Sequence, residues 1–219
     1  MTNAKRIRRI SSLLGKAYGR PGALRKTDPV DELVRTVLSQ NTSDVNSLRA
    51  FSVLKDSFKS WNSLLEEDAR HIAVLIKHAG LANIKARRLK NILTEIKRRE
   101  GKISLTSLKR MSVKDTLAYL QSMKGVGPKT AACVALFSFG KPAMPVDTHI
   151  FRVTKRLGLI HKDTDIVEAH ETLSGIVPKG LIYEFHLGII EHGRRTCKAL
   201  HPRCGECVLY KLCDYDKKS

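Results

Sequence analysis

Lys129 closes the sequence Gly125-Val-Gly-Pro-Lys129, and its setting is that of a reactive amine. Two glycines flanking one apolar residue allow a very tight backbone turn. Pro128 then restarts a helix, where its fixed φ suits the first helical position and its missing N–H costs nothing. The amides from Gly125 to Gly127 and the new helix N-terminus are expected to point outward, an arrangement that binds one phosphate. Lys129 falls in the first turn, the end of a helix where a cation is disfavoured, and Lys124 is close by. An amine under these two pressures is expected to act as a nucleophile beside a phosphate-gripping turn. The plainer reading of this short motif is a Pro-Lys pair exposed to solvent at an ordinary helix start.

A carboxylate and four thiols complete the chemistry-bearing set. Asp147, in Val146-Asp-Thr-His-Ile, reads as an ordinary helix N-cap. A carboxylate near a nucleophilic amine also helps to orient the reacting partner and to stabilise a developing cation in a glycosidic cleavage, and the two roles are compatible. Cys197, Cys204, Cys207 and Cys213 follow the spacing C-x6-C-x2-C-x5-C in a Pro- and Gly-containing tail. Four thiolates so close in sequence can wrap one metal centre, either zinc or an iron–sulfur cluster. Zinc sites usually pair two C-x2-C knuckles, and only one is present, so the spacing favours a four-iron cluster. Cys133 lies on an apolar helix face and reads as a small core residue. The eight histidines form no H-x-x-x-H or H-E-x-x-H pattern. Gln40, Asn41 and Thr42, at a helix end, have the short polar chains that suit contacts to base edges or the filling of a gap in a duplex. Alternatively they form a polar loop between helices.

The elements that must position these residues are helices. Ile7, Ile10, Leu14 and Tyr18 keep helical spacing over residues 4–18. Asp28-Pro29 starts a stripe of Val30, Leu33, Val34, Val37 and Leu38. A helix from a Ser43 or Asp44 cap turns Leu48, Phe51, Leu54 and Phe58 inward, and a short one covers residues 68–77 until Gly80 ends it. Leu81 leads into a basic amphipathic helix whose inner face is Leu89, Ile92, Leu93 and Ile96. Val113, Leu117 and Leu120 before the tight turn, and Ala131, Val134 and Ala135 after it, let those two helices pack together. Gly140-Lys-Pro-Ala-Met-Pro145 cannot continue a helix and reads as a linker. Helices follow from Asp147 and near residues 165–175 and 181–194. Strand signals are almost absent, so the fold class is all-α.

Composition limits the partners. The chain has 219 residues, with 40 Lys plus Arg against 21 Asp plus Glu, giving +19 on a 42% hydrophobic sequence. Such an excess points to a polyanion, nucleic acid first and an anionic membrane surface second. The basic residues are dispersed along helical segments, which favours a folded binding surface over a disordered arm. No apolar run reaches membrane-spanning length, and no apolar segment follows the basic N-terminus as export would require. The cysteines do not form a disulfide framework, so a cytoplasmic, reducing compartment is expected.

Taken together these residues resemble endonuclease III, in the helix-hairpin-helix superfamily of DNA glycosylases. The resemblance is carried by Leu38-Ser39 with Thr42-Ser43-Asp44, Gly80-Leu81 with Asn83 and Lys85-Ala86, and Gly125-Val-Gly-Pro-Lys129-Thr-Ala. Phe139-Gly140, Val146 to Val153, His192-Gly-Arg and the cysteine tail extend it over nearly the whole chain. It implies a six-helix domain over residues 27–141 that carries the hairpin, and a [4Fe-4S] cluster domain from residues 1–26 and 142–219, with a DNA-binding cleft between them. It implies that Lys129 is a Schiff-base lysine, that Asp147 is the catalytic aspartate, and that the four cysteines hold the cluster. DNA contacts are expected from Gln40, Asn41, Thr42, Leu81, Lys85, Gly125, Val126, Gly127 and Thr130.

The expected activity is that of a bifunctional DNA glycosylase and AP lyase of base excision repair, acting as a monomer on double-stranded DNA with an oxidised pyrimidine or abasic site. The target base is flipped out, the amine attacks the sugar C1′, the base leaves, and β-elimination cuts the strand on the 3′ side. One departure concerns the wedge, whose usual sequence is Ser-Ala-Gln-Ala-Thr-Asp. Here Ser39-Gln-Asn-Thr-Ser-Asp44 puts Asn41 where a glutamine normally fills the vacated base position, while Leu81 matches the second wedge. Mismatch-thymine relatives typically carry tyrosine at the Lys129 position, and adenine-removing relatives a glutamate where Thr36 stands. The alternatives are a thymine or uracil mismatch glycosylase and a non-catalytic DNA-binding module, which would need neither Lys129 nor Asp147.

Overall fold

The structure, a computed structural model, describes residues 2–215. Among these residues it is built of helices without a strand: α1 Asn3–Tyr18, α2 Pro29–Leu38, α3 Asp44–Ser57, α4 Trp61–Glu66, α5 Ala69–Leu75 and α6 Ala82–Glu100. These are followed by α7 Val113–Gln121, α8 Pro128–Phe139, α9 Thr148–Arg156, α10 Ile166–Ile176 and α11 Ile182–Arg195. No described helix is long and apolar enough to cross a membrane. Two compact units result, one from Lys26 to Lys141, the other from residues up to Arg25 together with those from Pro142 onward.

In the continuous unit, local sequence sets the helix starts. Asp28 Oδ1 accepts from the amides of Val30 at 2.9 Å and Asp31 at 3.0 Å, and Pro29 occupies the first helical position of α2. α2 packs along α8, and α7 also lies against α8. α8 buries Ala131, Ala132, Val134, Ala135 and Leu136, so it is apolar around most of its circumference and forms the centre of this core. Leu33, Val37, Leu54, Leu89 and Leu93 are buried in the same core cluster as Ala131 and Val134, each contributing roughly 1.5–3 kcal/mol by burial. The helix that begins with Pro128 and Lys129 is thus anchored in its unit by buried apolar residues on most of its faces.

Two sequence expectations need correction here. Leu48 is 52% exposed, and α3 turns Ser47, Ala50 and Leu54 inward in its place. The short α4 was not foreseen, because six residues are too few for a helical period to register. Its start is a reciprocal pair in which Ser60 and Ser63 cap each other.

In the other unit α1 packs on α11 and α11 on α9. Ile7, Ile10 and Leu14 of α1 and Phe185 and Ile189 of α11 are buried there, and Gly188 lets Leu14 approach α11 closely: a Cβ there would lie 3.3 Å from the Leu14 Cβ. Residues 140–147 are non-helical, and the boundary between units falls within them. Lys141 is nonetheless buried, its ammonium donating to the carbonyls of Leu108 and Met111 and to Thr116 Oγ1.

Candidate nucleic-acid interface and catalytic site

The hairpin spans residues 122–127 between α7 and α8. Gly125 has φ +96°, a region closed to most side chains, so the turn needs glycine there. The Val126 side chain is buried and its N–H donates to Met123 O at 3.0 Å, so it braces the turn from inside. The side chain and amide of Val126 are thus turned to the protein, against the expected DNA contact from this residue. Lys129 is half-buried in the first turn of α8, where the Ala131 amide already returns to Gly127 O at 3.0 Å. Thr130 is 2% exposed, with its hydroxyl turned inward to accept from Gln40 Nε2 at 3.3 Å. Its side chain therefore faces the protein, and only its backbone is offered to a ligand.

Two exposed tips precede the hairpin in sequence. Asn41 has φ +52° and Leu81 has φ +49°, left-handed conformations that cost a branched residue such as leucine of order 1–3 kcal/mol. Leu81 is 54% exposed, a large apolar side chain held out to solvent by a strained backbone. Lys85 reverses its assignment: at 1% exposure it is one of the largest fully buried side chains and cannot touch DNA. Its ammonium donates to Leu38 O and to Ala79 O, both at 2.7 Å. These carbonyls close the segments that lead into Asn41 and Leu81, so Lys85 fastens the bases of both tips. Burial, and secondarily the charge of Arg88, pushes its pKa down to about 8. Spacing could have warned of this, since Lys85 precedes Leu89 and Ile92 by four and seven positions and so falls on their inner face.

Asp147 caps α9, its Oδ1 accepting from the Ile150 amide at 2.8 Å, which leaves a second carboxylate oxygen for other work. Lys129 and Asp147 belong to different units. In the tail, all four cysteines line a single cavity, together with Val153, Leu157 and Leu209. Burial pushes the Cys207 thiol up, and the charges of Cys197, Cys213 and Cys204 act the same way. Among the described residues no three His, Cys, Asp or Glu side chains are gathered tightly enough for a single ion. Four thiols around one apolar-walled cavity suit a larger cluster.

Sequence reasoning missed the arginines that secure this tail. Arg152 donates to Cys197 O and Gly193 O. Arg156 donates to Cys197 Sγ at 3.3 Å and to Lys198 O at 2.7 Å, and its own carbonyl receives Cys213 Sγ at 3.2 Å. Their i,i+4 placement on α9 was the available signal. His192, held near neutral by burial with its pKa pushed down to about 4, sits between Tyr18 Oη at 2.9 Å and Cys207 Sγ at 3.6 Å.

A tight glycine hairpin opening a core helix, with a lysine in its first turn, defines a helix-hairpin-helix DNA-repair protein. Residues 34–179 match the family described as HhH-GPD superfamily base excision DNA repair protein, and the chain belongs to it. Within it, the chain is an endonuclease III homologue. It is 34% identical to endonuclease III of Thermotoga maritima over 89% of this chain and 86% of that one. It is 31% identical to endonuclease III of Escherichia coli K12 over 100% and 99%. A trapped endonuclease III–DNA covalent intermediate aligns with a TM-score of 0.81 at 28% identity, over 97% of this chain and 96% of that one. A thermostable thymine-DNA glycosylase aligns at 0.77 and 25%, over 98% of each. The activity class is accordingly that of a base excision DNA glycosylase and lyase.

Proposed function

We infer that this enzyme removes oxidised pyrimidines from double-stranded DNA and then cuts the strand, with Lys129 as nucleophile and Asp147 as the carboxylate that serves it. The carrying observation is the placement of Lys129, half-buried in the first turn of a core helix directly after the hairpin. The amides of Gly125 and Gly127 grip a backbone phosphate, and Asn41 and Leu81 fill the space of the flipped base. Gln40 and Thr42 support that loop. The Lys129 amine bonds to C1′ as the N-glycosidic bond breaks and the base leaves with the electron pair. Opening of the sugar ring, in which the C1′–O4′ bond breaks and O4′ takes up a proton, turns this adduct into an iminium; the C2′ proton is then acidic, and its loss expels the 3′ phosphate. The Asp147 carboxylate stabilises the cationic character that develops at the sugar. Cys197, Cys204, Cys207 and Cys213 hold a [4Fe-4S] cluster, which supplies a structural brace for the tail that carries Lys198 and Arg203.

Borohydride trapping on a duplex with one thymine glycol tests the assignment. Wild type forms a covalent adduct and Lys129→Gln forms none; an equal adduct from the variant removes Lys129 from this role. A mismatch-thymine reading draws on the likeness to the thymine-DNA glycosylase. It requires base release from a G·T duplex at a rate above that from thymine glycol.

A further inference from the structure

Gln40 lies between two parts of the site that the reading above treats separately, the base-replacing loop and the hairpin helix. Its side-chain amide has an acceptor end and a donor end, and each meets a matching partner. Oε1 accepts from the Arg88 guanidinium, and Nε2 donates to Thr130 Oγ1 at 3.3 Å. A flipped amide would turn its NH2 group onto the guanidinium, donor against donor, so this orientation is fixed. Asn41 follows Gln40 in the chain, and Lys129 precedes Thr130. One amide therefore bridges the loop tip and the residue beside the nucleophile.

Arg88 holds that amide in place. It is half-buried on α6, and its side chain lies across the hairpin: a Cβ added to Gly125 would come within 2.6 Å of Arg88 Cδ and 2.7 Å of its Cγ. The guanidinium thus touches the loop while the stem covers the turn. Three positions earlier, Lys85 fastens the segment before the same loop through Leu38 O. In the sequence Arg88 reads as one more surface cation in a basic run, and only the geometry singles it out.

We propose that Arg88 is a positioning residue that couples the fit of Asn41 in the vacated base position to the placement of Lys129, so that base release depends on the base opposite the lesion. This rests on the reading of Asn41 and Lys129 given above. Arg88 touches no reacting atom in this scheme; it acts through Gln40 and Thr130. An opposite base that suits Asn41 leaves the bridge intact. One that does not displaces the loop, and the strain passes to the first turn of α8, where small misplacements of a nucleophile are costly.

The test is single-turnover base release by wild type, Arg88→Ala and Arg88→Lys on duplexes with thymine glycol opposite each of the four bases. Cleavage of a preformed abasic site and duplex affinity are measured in parallel. The open aldehyde of an abasic site reacts with a nearby amine without exact placement, so its cleavage reports the Lys129 chemistry alone. Arg88→Ala is expected to lower the fastest release rate by about tenfold and to narrow the spread among opposite bases. Abasic-site cleavage and affinity change much less, and Arg88→Lys, which keeps one donor for Gln40, restores most of the loss. A parallel fall in release, abasic cleavage and affinity would make Arg88 a plain phosphate contact and overturn the proposal. So would an unchanged spread in Arg88→Ala, or no opposite-base dependence in wild type. A wild type that cuts no abasic site defeats the glycosylase and lyase reading itself, and the coupling falls with it.

Discussion

Lys85 keeps a positive charge where water does not reach, and the protein uses it to tie two backbone carbonyls together. Its folded-state pKa of about 8 lies below the ordinary lysine value of 10.5, so below about pH 8 both folded and unfolded forms are charged and the full desolvation cost is present. As pH rises from there, the folded state releases its proton first, and the cost is relieved. The advantage of wild type over Lys85→Met should therefore grow by about 2 kcal/mol between about pH 7 and 9.5, measured by urea unfolding. A constant difference would show that the amine does not titrate in this range. The neutral amine still has N–H donors for Leu38 O and Ala79 O, so the clamp survives the titration. At this scale the sequence was legible for residue types and misleading for direction. Lys85 and Thr130 carry DNA-binding chemistry, but both face inward, because a helical position is fixed by the face it shares with Leu89 or Val134, and not by its polarity.

At the scale of elements, the tight turn, the capped helix starts and the core stripes were readable, since each depends on a local rule: Asp28 before Pro29, glycine at Gly125, apolar spacing along α6. Less legible was what holds segments that have no regular structure. The cysteine tail is secured by long-range bonds from α9 and by Arg6 of α1, whose guanidinium reaches Leu157 O at 2.7 Å and Leu212 O at 2.9 Å. No periodicity announces such contacts. Arg156→Ala removes the donors to Cys197 Sγ, Lys198 O and Ala199 O and is expected to cost about 1–2 kcal/mol. It should also lower the iron retained per chain after desalting, read from the brown absorbance and from iron analysis. Full iron retention with an unchanged Tm would show that the cysteines need no support from α9.

The whole molecule carries +19, spread along the helices and absent from any single tail. Lysines and arginines that neutralise phosphates release counterions, so duplex affinity should fall steeply with salt, by about 10³ between roughly 50 and 200 mM if about six phosphates are contacted. A slope near zero in log Kd against log salt would mean that the charge is not directed at DNA.

One of the two units is interrupted: α1 comes first in the chain, but its packing partner α11 begins only at Ile182. During synthesis the continuous unit, Lys26 to Lys141, emerges whole and can fold while α1 still lacks the surface that covers Ile7, Ile10 and Leu14. At about 5–20 residues per second, that wait is on the order of ten seconds. α1 is thus made well before its packing partner, and for that interval a basic amphipathic segment is free to meet chaperones before it meets α11.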